Sequence, residues 1–334
     1  MRAILRTILC GLIAIPAFAQ PNPPNIIVIL ADDLGYGDIG AFGQTKFATP
    51  RLDQMAAEGM RLTQFYAGST VCAPSRSVLL TGLHTGHTRI RGNGTVDRQP
   101  VRLYPEDTTI AELLKERGYA TCHAGKWHLN GHFNKPTQPQ PNDHGYDWWL
   151  ATQNNASPNH MNPTNYVRNG EPTGRIEGPS AVIAANEAIT WLTEHKPKDK
   201  PLFINVRTHE THLPIESAPK FMEPYQSIDD EGIRQHHGNI TQLDHAFGLL
   251  MQALDDMKVA DNTFVIFTSD NGPEGAGNRG RTRGSTGGLR GRKRATHEGG
   301  IRVPGIVRWP GHIKPGSESD TPVIGSDIFT TICD

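Results

Sequence analysis

Three short apolar runs rich in β-branched residues constrain the fold of this chain. The first is Asn25–Ala31, and comparable runs lie at residues 202–206 and 264–268. A continuous apolar run of strand length is typical of a strand that is buried on both faces. Segments with helical periodicity separate the runs, at residues 109–117, 180–194 and 240–257. The alternation predicts an α/β fold in which helices flank both faces of a mostly parallel central sheet.

The size, the charge and the first residues bear on domain organisation and location. With 334 residues and a formal net charge of -1, the chain is expected to form one large domain, without the charge excess that favours nucleic acid or acidic membranes. Two arginines precede the apolar run at residues 8–14, and an Ala-x-Ala pattern follows it. This arrangement predicts a signal peptide over residues 1–19, export to the periplasm or the extracellular space, and a folded domain over residues 20–334. Because a membrane span needs about 20 apolar residues, none is expected.

Acidic and amide side chains follow two of the predicted strands. Asp32 and Asp33 come directly after the first strand, and Asp270 and Asn271 follow the run at 264–268. The carboxyl ends of parallel strands meet at one edge of a sheet, so pairs that are distant in sequence can converge there. Three carboxylates and an amide oxygen are hard ligands, which suit Ca²⁺ or Mg²⁺ and give zinc little preference.

Basic and imidazole side chains stand near two further strand ends. Lys126 and His128 close a strand-like segment at residues 118–128, and in an extended chain they would face the same side, where an anionic substrate could meet both. Taken alone, this pair is better explained by a solvated lysine beside a packed histidine. His209 and His212 follow the second apolar run, and either could reach the same edge of the sheet; their spacing does not match a helical His-Glu-x-x-His zinc motif.

Two segments without regular periodicity are expected to form loops above the sheet. Residues 131–179 are rich in Pro, Asn, Gly and His, and would form either pocket walls or a solvated insertion. Residues 279–294 combine arginine with glycine, as single-stranded RNA-binding segments also do. This segment lacks interleaved aromatic residues and lies in a chain that is expected to be exported. A glycine-rich loop that carries cations over the sheet edge is therefore the preferred interpretation, with no nucleic acid as partner.

A family resemblance joins these features. Cys72 begins the sequence Cys-Ala-Pro-Ser-Arg, which ends at Arg76, although an isolated cysteine of this kind could be a buried structural residue. Together, this motif, residues 118–128, the two acidic pairs and the element at 291–300 resemble the type I, formylglycine-dependent sulfatases of the alkaline phosphatase superfamily. Residues 82–93 are similar to arylsulfatases and N-acetylgalactosamine-6-sulfatases. The resemblance implies an alkaline phosphatase-like fold.

The resemblance also implies a modified nucleophile and a metal ion. A maturation enzyme of the host would convert Cys72 to formylglycine, whose hydrate attacks sulfur with one hydroxyl and later expels sulfate with the other. Asp32, Asp33, Asp270 and Asn271 would hold Ca²⁺, with Mg²⁺ less favoured. The ion would also contact the hydrated formylglycine at Cys72.

Five basic side chains receive roles from the same resemblance. Arg76 would hold and polarise the diol, while Lys126 and Lys293 would contact the sulfate oxygens as negative charge builds. His128 would take a proton from the second hydroxyl, and His212 would protonate the leaving alcohol. Together with the modified cysteine, these side chains are the predicted catalytic residues.

The expected function is that of an exported, calcium-dependent sulfuric ester hydrolase acting on a sulfated glycan or a small sulfate ester. One alternative is a phosphoester hydrolase of the same superfamily. Another is a truncated, non-catalytic binder of sulfated glycans. The second alternative follows from the C-terminal residues. Family members continue into a smaller C-terminal subdomain, whereas this sequence stops within residues 326–334, which resemble the start of an amphipathic helix. That subdomain is expected to be missing from this sequence.

Overall fold

The structure is a computed structural model that describes residues 23–96, 99–275 and 282–334. The predicted signal peptide over residues 1–19 lies outside the described residues, as does the first part of the arginine-glycine segment, up to residue 281. The strands are β1 (Asn25–Ala31), β2 (Met60–Leu62), β3 (Phe65–Tyr66), β4 (Thr95–Val96), β5 (Gln99–Pro100), β6 (Ala120–Lys126), β7 (Trp148–Thr152), β8 (Tyr166–Arg168), β9 (Glu171–Gly174), β10 (Leu202–Arg207), β11 (Thr263–Ser269), β12 (Gly305–Arg308), β13 (Ser317–Ser319) and β14 (Val323–Ile324).

One ten-stranded sheet contains most of these strands, in the spatial order β13, β2, β12, β11, β1, β10, β6, β7, β8, β9. Its centre, from β11 to β7, is parallel throughout. Antiparallel pairing with β12 on one side and with β8 on the other continues the sheet outward. The mostly parallel central sheet that the sequence predicts is therefore confirmed.

Helices cover both faces of this sheet. They are α1 (Pro50–Glu58), α2 (Cys72–Thr81), α3 (Thr85–Thr88), α4 (Ile110–Glu116), α5 (Ser180–Thr190), α6 (Pro219–Met222), α7 (Glu231–Asp256), α8 (Glu298–Ile301) and α9 (Gly325–Cys333). Alternate residues of β1 point to opposite sides: Ile27 and Ile29 pack in one cluster with residues of α1, α5 and α7, while Ile26 and Val28 pack in a second cluster with residues of α2, α4 and α9. Burial on both faces explains the continuous apolar run of β1.

The three predicted helices are present, with two boundaries that differ. Helix α5 ends at Thr190, four residues before the predicted end, and continues as a π-helical turn over Trp191–His195. At the start of α4, Thr109 and Glu112 form the reciprocal capping box that their spacing predicts. Helix α7 begins nine residues before the predicted start at residue 240, and Asp230 caps it by accepting a hydrogen bond from the Ile233 N–H at 3.0 Å. The first turns of α7 bury polar side chains rather than apolar ones, so the apolar period there does not reveal the helix.

The segment at 131–179 is not a single long loop, and this expectation is wrong. It contains β7, which pairs in parallel with β6, followed by β8 and β9. The run Trp148–Thr152 is mostly buried and extends the sheet beyond β6. Its five residues are too few to stand out among the proline- and asparagine-rich residues on either side.

Candidate active site

Three carboxylates meet at the carboxyl ends of β1 and β11. Asp32, Asp33 and Asp270 are each 0 or 1% exposed. The Asp33 N–H donates to Oδ1 of Asp270 at 3.2 Å, and the Asp270 N–H donates to the carbonyl of Ala31 at 3.1 Å. On the other side of β1, the Asp32 N–H donates to the carbonyl of Glu210 at 3.0 Å. Neighbouring strand ends thus hold both acidic pairs together.

Two buried cations compensate these carboxylates from α2 and β6. Arg76 donates to Oδ2 of Asp270 through Nε at 3.0 Å and Nη2 at 2.7 Å. Lys126 Nζ lies 2.6 Å from Oδ2 of Asp32. Burial favours a higher pKa for Asp32, but Lys126 and the other nearby cations outweigh burial and hold this pKa well below its usual range. Burial and the neighbouring Asp32 raise the pKa of Asp270 to about 6.

Cys72 is the first residue of α2 and is completely buried beside this charge cluster. Its Sγ lies 3.5 Å from Oδ1 of Asp32 and 3.4 Å from Nζ of Lys293. Lys293 reaches the site from the loop before α8 and pairs with Oδ1 of Asp33 at 2.7 Å. Burial and the charge of Asp270 raise the pKa of the Cys72 thiol. An unmodified Cys72 is thus a protonated thiol and a weak nucleophile.

The acidic cluster has the composition of a site for a hard divalent cation. Asn271 donates from Nδ2 to Oδ1 of Asp33 at 2.6 Å, while its buried Oδ1 has no hydrogen-bond partner among the described residues. Burial and the charge of Asp32 raise the pKa of Asp33. A divalent cation would relieve this repulsion and give the Asn271 oxygen a partner. The side chains present therefore fit Ca²⁺, which prefers carboxylate and amide oxygens.

His212, rather than His209, faces the acidic cluster. Nε2 of His212 lies 3.7 Å from Oδ2 of Asp33, and its Nδ1 lies 2.5 Å from the Leu213 carbonyl oxygen. The ring of His209 is turned elsewhere: its Nε2 lies 2.8 Å from Oγ1 of Thr152. Burial lowers the pKa of His212 to about 3, so its ring is neutral at pH 7. Bound negative charge next to this ring would favour its protonated form.

His128 has a different backbone conformation from the one its sequence predicts. Strand β6 ends at Lys126, and His128 has a left-handed φ of 55°, so the extended alternation of these two residues is wrong. The His128 N–H donates to the carbonyl of Gln153 at 2.7 Å, which fixes this turn. Burial, followed by the charge of Lys126, holds the pKa of His128 well below its usual range. The lowered pKa leaves the ring neutral at pH 7, and its buried Nδ1 has no partner among the described residues.

Two carboxylates near the site, Glu274 and Glu210, are not predicted as site residues by the sequence motifs. Glu274 is 4% exposed and lies between two cations. Its Oε2 is 3.6 Å from Nζ of Lys293, and its Oε1 is 2.5 Å from Nη1 of Arg294. Glu210 is completely buried and stands between the two histidines of the 207–212 segment. A carboxylate three residues after the end of β10 is the sequence signal that could have identified Glu210. No such signal exists for Glu274, because its contacts depend on how two loops pack.

Comparisons with known proteins agree with this geometry. The family model described as Sulfatase matches residues 24–334. N-acetylgalactosamine-6-sulfatase of Canis lupus familiaris is 34% identical over 340 residues, which cover 94% of this chain and 62% of that protein. Arylsulfatase A of Homo sapiens is 36% identical over 343 residues, covering 94% and 63%. The chain therefore spans less than two thirds of the length of either relative.

The fold has a close counterpart among solved structures. The crystal structure of Ps i-CgsB in complex with k-i-k-neocarrahexaose matches with a TM-score of 0.85 and 26% identity, over 93% of this chain and 71% of that one.

Within the three described segments, none of the helices is both long enough and apolar enough to cross a membrane.

Proposed function

The chain belongs to the sulfatase family, and on this premise we propose that it is a sulfuric ester hydrolase that cleaves sulfate esters of carbohydrates. The names of its relatives support a sugar substrate, because one of them is an N-acetylgalactosamine-6-sulfatase. A structural neighbour that binds a neocarrahexaose supports the same substrate class. Export would bring the enzyme to such glycans and is part of the proposal.

The position of Cys72 carries the proposal. Its Sγ touches both Lys293 and Asp32, at the point where the cationic and acidic groups of the site meet. A thiol with a raised pKa would be a poor nucleophile there, so conversion to formylglycine by a maturation enzyme supplies the missing reactivity. The hydrated aldehyde would present hydroxyl groups in place of Sγ.

Asp32, Asp33, Asp270 and Asn271 would hold calcium in this proposal. When bound, calcium would supply positive charge beside the nucleophile and the sulfate oxygens. The unpartnered Oδ1 of Asn271 and the mutual repulsion of the carboxylates support this assignment.

The basic side chains bind the sulfate and move protons. Lys126 and Lys293 would contact the sulfate oxygens, whose negative charge increases in the transition state. Arg76, held by Asp270, would orient the nucleophile. His128, neutral and without a partner on Nδ1, would accept a proton from the second hydroxyl. His212 would take up a proton as the anionic substrate binds and would donate it to the leaving alcohol.

Mass spectrometry and turnover test the proposal together. The tryptic peptide over residues 62–76, taken from protein made in the native host, should carry an aldehyde in place of the Cys72 thiol. Cys72→Ala should abolish hydrolysis of an aryl sulfate and still bind calcium, whereas Cys333→Ala, at an exposed cysteine, is the matched control. Undiminished turnover by Cys72→Ala would refute the nucleophile. Faster hydrolysis of aryl phosphate than of aryl sulfate would favour the phosphoester alternative.

A further inference from the structure

Arg294 has a backbone conformation that a long side chain rarely adopts. Its φ is 76°, in the left-handed region, where glycine is favoured and most other residues are disfavoured. The Arg294 N–H donates to the carbonyl of Thr70 at 2.9 Å, two residues before Cys72. Disfavoured backbone conformations of this kind cluster at ligand-binding sites, so an arginine in this conformation beside the candidate site calls for a functional explanation.

A short series of contacts links Arg294 to the proposed nucleophile. Its Nη1 and Nη2 lie 2.5 and 3.1 Å from the two carboxylate oxygens of Glu274. The same carboxylate lies 3.6 Å from Nζ of Lys293, and that ammonium lies 3.4 Å from Sγ of Cys72. Glu274 is 5% exposed at its side chain, so it is a buried support that holds the guanidinium in one place.

The guanidinium is both held and accessible. The side chain of Arg294 is 54% exposed, in contrast to Lys293 at 1%. A guanidinium carries five N–H donors in a planar fork, and the pair with Glu274 engages one on each of two nitrogens. The donors that remain can bind a second oxyanion. Hydrogen bonding to Glu274 raises the pKa of Arg294, so the guanidinium keeps its positive charge while it is exposed.

We propose that Arg294 is a specificity-determining residue that binds a second anionic group of the substrate, a carboxylate or a second sulfate next to the ester that is cleaved. This inference rests on the proposed sulfatase function, because Glu274 and Lys293 connect Arg294 to the proposed nucleophile. The ligand chemistry is an oxyanion that accepts paired hydrogen bonds from a planar fork. The preferred substrate is accordingly a glycan with more than one negative charge near the scissile bond.

A purely structural role makes a different prediction. If Arg294 serves only to neutralise Glu274, its loss changes the binding of singly and doubly charged substrates alike. If it binds the second anion, the loss falls mainly on doubly charged substrates. The ratio between the two classes therefore separates the roles.

Equilibrium binding in the Cys72→Ala background provides the first test, because it does not depend on turnover. The ligands are a monosulfated saccharide, its disulfated analogue and a monosulfated saccharide joined to a uronic acid. Arg294→Gly is the informative variant, since glycine suits the left-handed φ and should fold. Its preference for a doubly charged over the singly charged ligand should fall about tenfold or more, as expected for a lost hydrogen bond between charged groups. The two doubly charged ligands show whether sulfate or carboxylate is recognised.

Arg290→Ala is the control, since Arg290 is an exposed arginine of the same loop. A fall in preference of equal size in Arg290→Ala would point to general positive charge and would overturn the proposal. So would an unchanged preference in Arg294→Gly. The ratio of kcat/KM values for the same substrates, measured with the matured enzyme, should fall in parallel. If the wild-type protein shows no turnover at all, the sulfatase function is refuted. The role of Arg294 is still decided by the binding comparison, which does not need turnover.

Discussion

Glu210 is predicted to hold the active-site segment in place without touching the substrate. Its Oε1 accepts hydrogen bonds from Ser180 Oγ, the Ala181 N–H and Gln242 Nε2, each at 2.9 Å. Its Oε2 accepts one from the His209 N–H at 3.2 Å. The first two donors begin α5 and the third belongs to α7, while the backbone carbonyl of Glu210 binds the Asp32 N–H. One buried carboxylate thus ties two helices to the segment that carries His212.

The geometry of these bonds fixes the relative cost of two substitutions. Glu210→Ala removes all four hydrogen bonds and leaves buried donors partly unsatisfied, so it should lower the free energy of unfolding by about 3–5 kcal/mol. Glu210→Gln can keep its oxygen at the Oε1 position and lose only the bond at Oε2, which should cost about 1–2 kcal/mol. Both variants should lose turnover, and Glu210→Ala should lose more because its segment is less well held.

Urea denaturation followed by tryptophan fluorescence measures these costs, with a chelator present so that metal binding adds nothing to stability. Glu171→Ala, at an exposed glutamate of β9, is the control and should remain within about 0.5 kcal/mol of the parent. Equal costs for the two Glu210 variants would refute the reasoning, because they would mean that the asymmetry between Oε1 and Oε2 has no energetic weight. A cost below about 1 kcal/mol for Glu210→Ala would also refute it.

Two further predictions concern pH and metal binding. Asp244 accepts hydrogen bonds from the Arg51 and Leu52 N–H groups at the start of α1, and burial raises its pKa to about 6. Since this pKa is higher in the folded than in the unfolded state, Asp244 loses stabilisation as pH rises from 4 to 7. The free energy of unfolding, relative to Asp244→Asn, should fall by about 2 kcal/mol over that interval. Parallel pH profiles of the two proteins would contradict this. Calcium should raise the melting temperature of the parent and of Cys72→Ala, while Asn271→Ala should need a higher calcium concentration for the same rise; an equal response of Asn271→Ala would argue against the amide oxygen as a ligand.

The parts of the fold and the site that follow from sequence are those with a simple periodic or topological cause. The continuous apolar run of β1 predicts a strand buried on both faces, and its pairing between β10 and β11 agrees with this. Parallel strands gather their carboxyl ends at one edge, so Asp32 and Asp270 could be placed together from sequence although they are distant along the chain. The capping box of α4 is equally local, because its two residues are three positions apart.

The parts that sequence did not reveal depend on contacts between irregular segments. The left-handed turn at His128 is fixed by a hydrogen bond to Gln153, which belongs to the segment after β7. Glu274 meets Lys293 only because two loops fold over the same sheet edge. The first turns of α7 bury polar residues such as His236 and His237, so an apolar period could not mark them. In each case tertiary packing, and not local preference, determines the position.

The pairing of Lys126 with Asp32 and of Lys293 with Asp33 bears on how the same side chains would serve both a metal ion and a sulfate ester in the proposed function. Each lysine neutralises a carboxylate that is also available to a cation. With a divalent cation among the carboxylates, the two buried ammonium groups would lose part of their counter-charge, and uncompensated buried charge is costly. The negative oxygens of a sulfate ester would restore that compensation. In the proposed function, metal and sulfate would therefore favour each other's binding through these two lysines, and by linkage the effect would be equal in both directions.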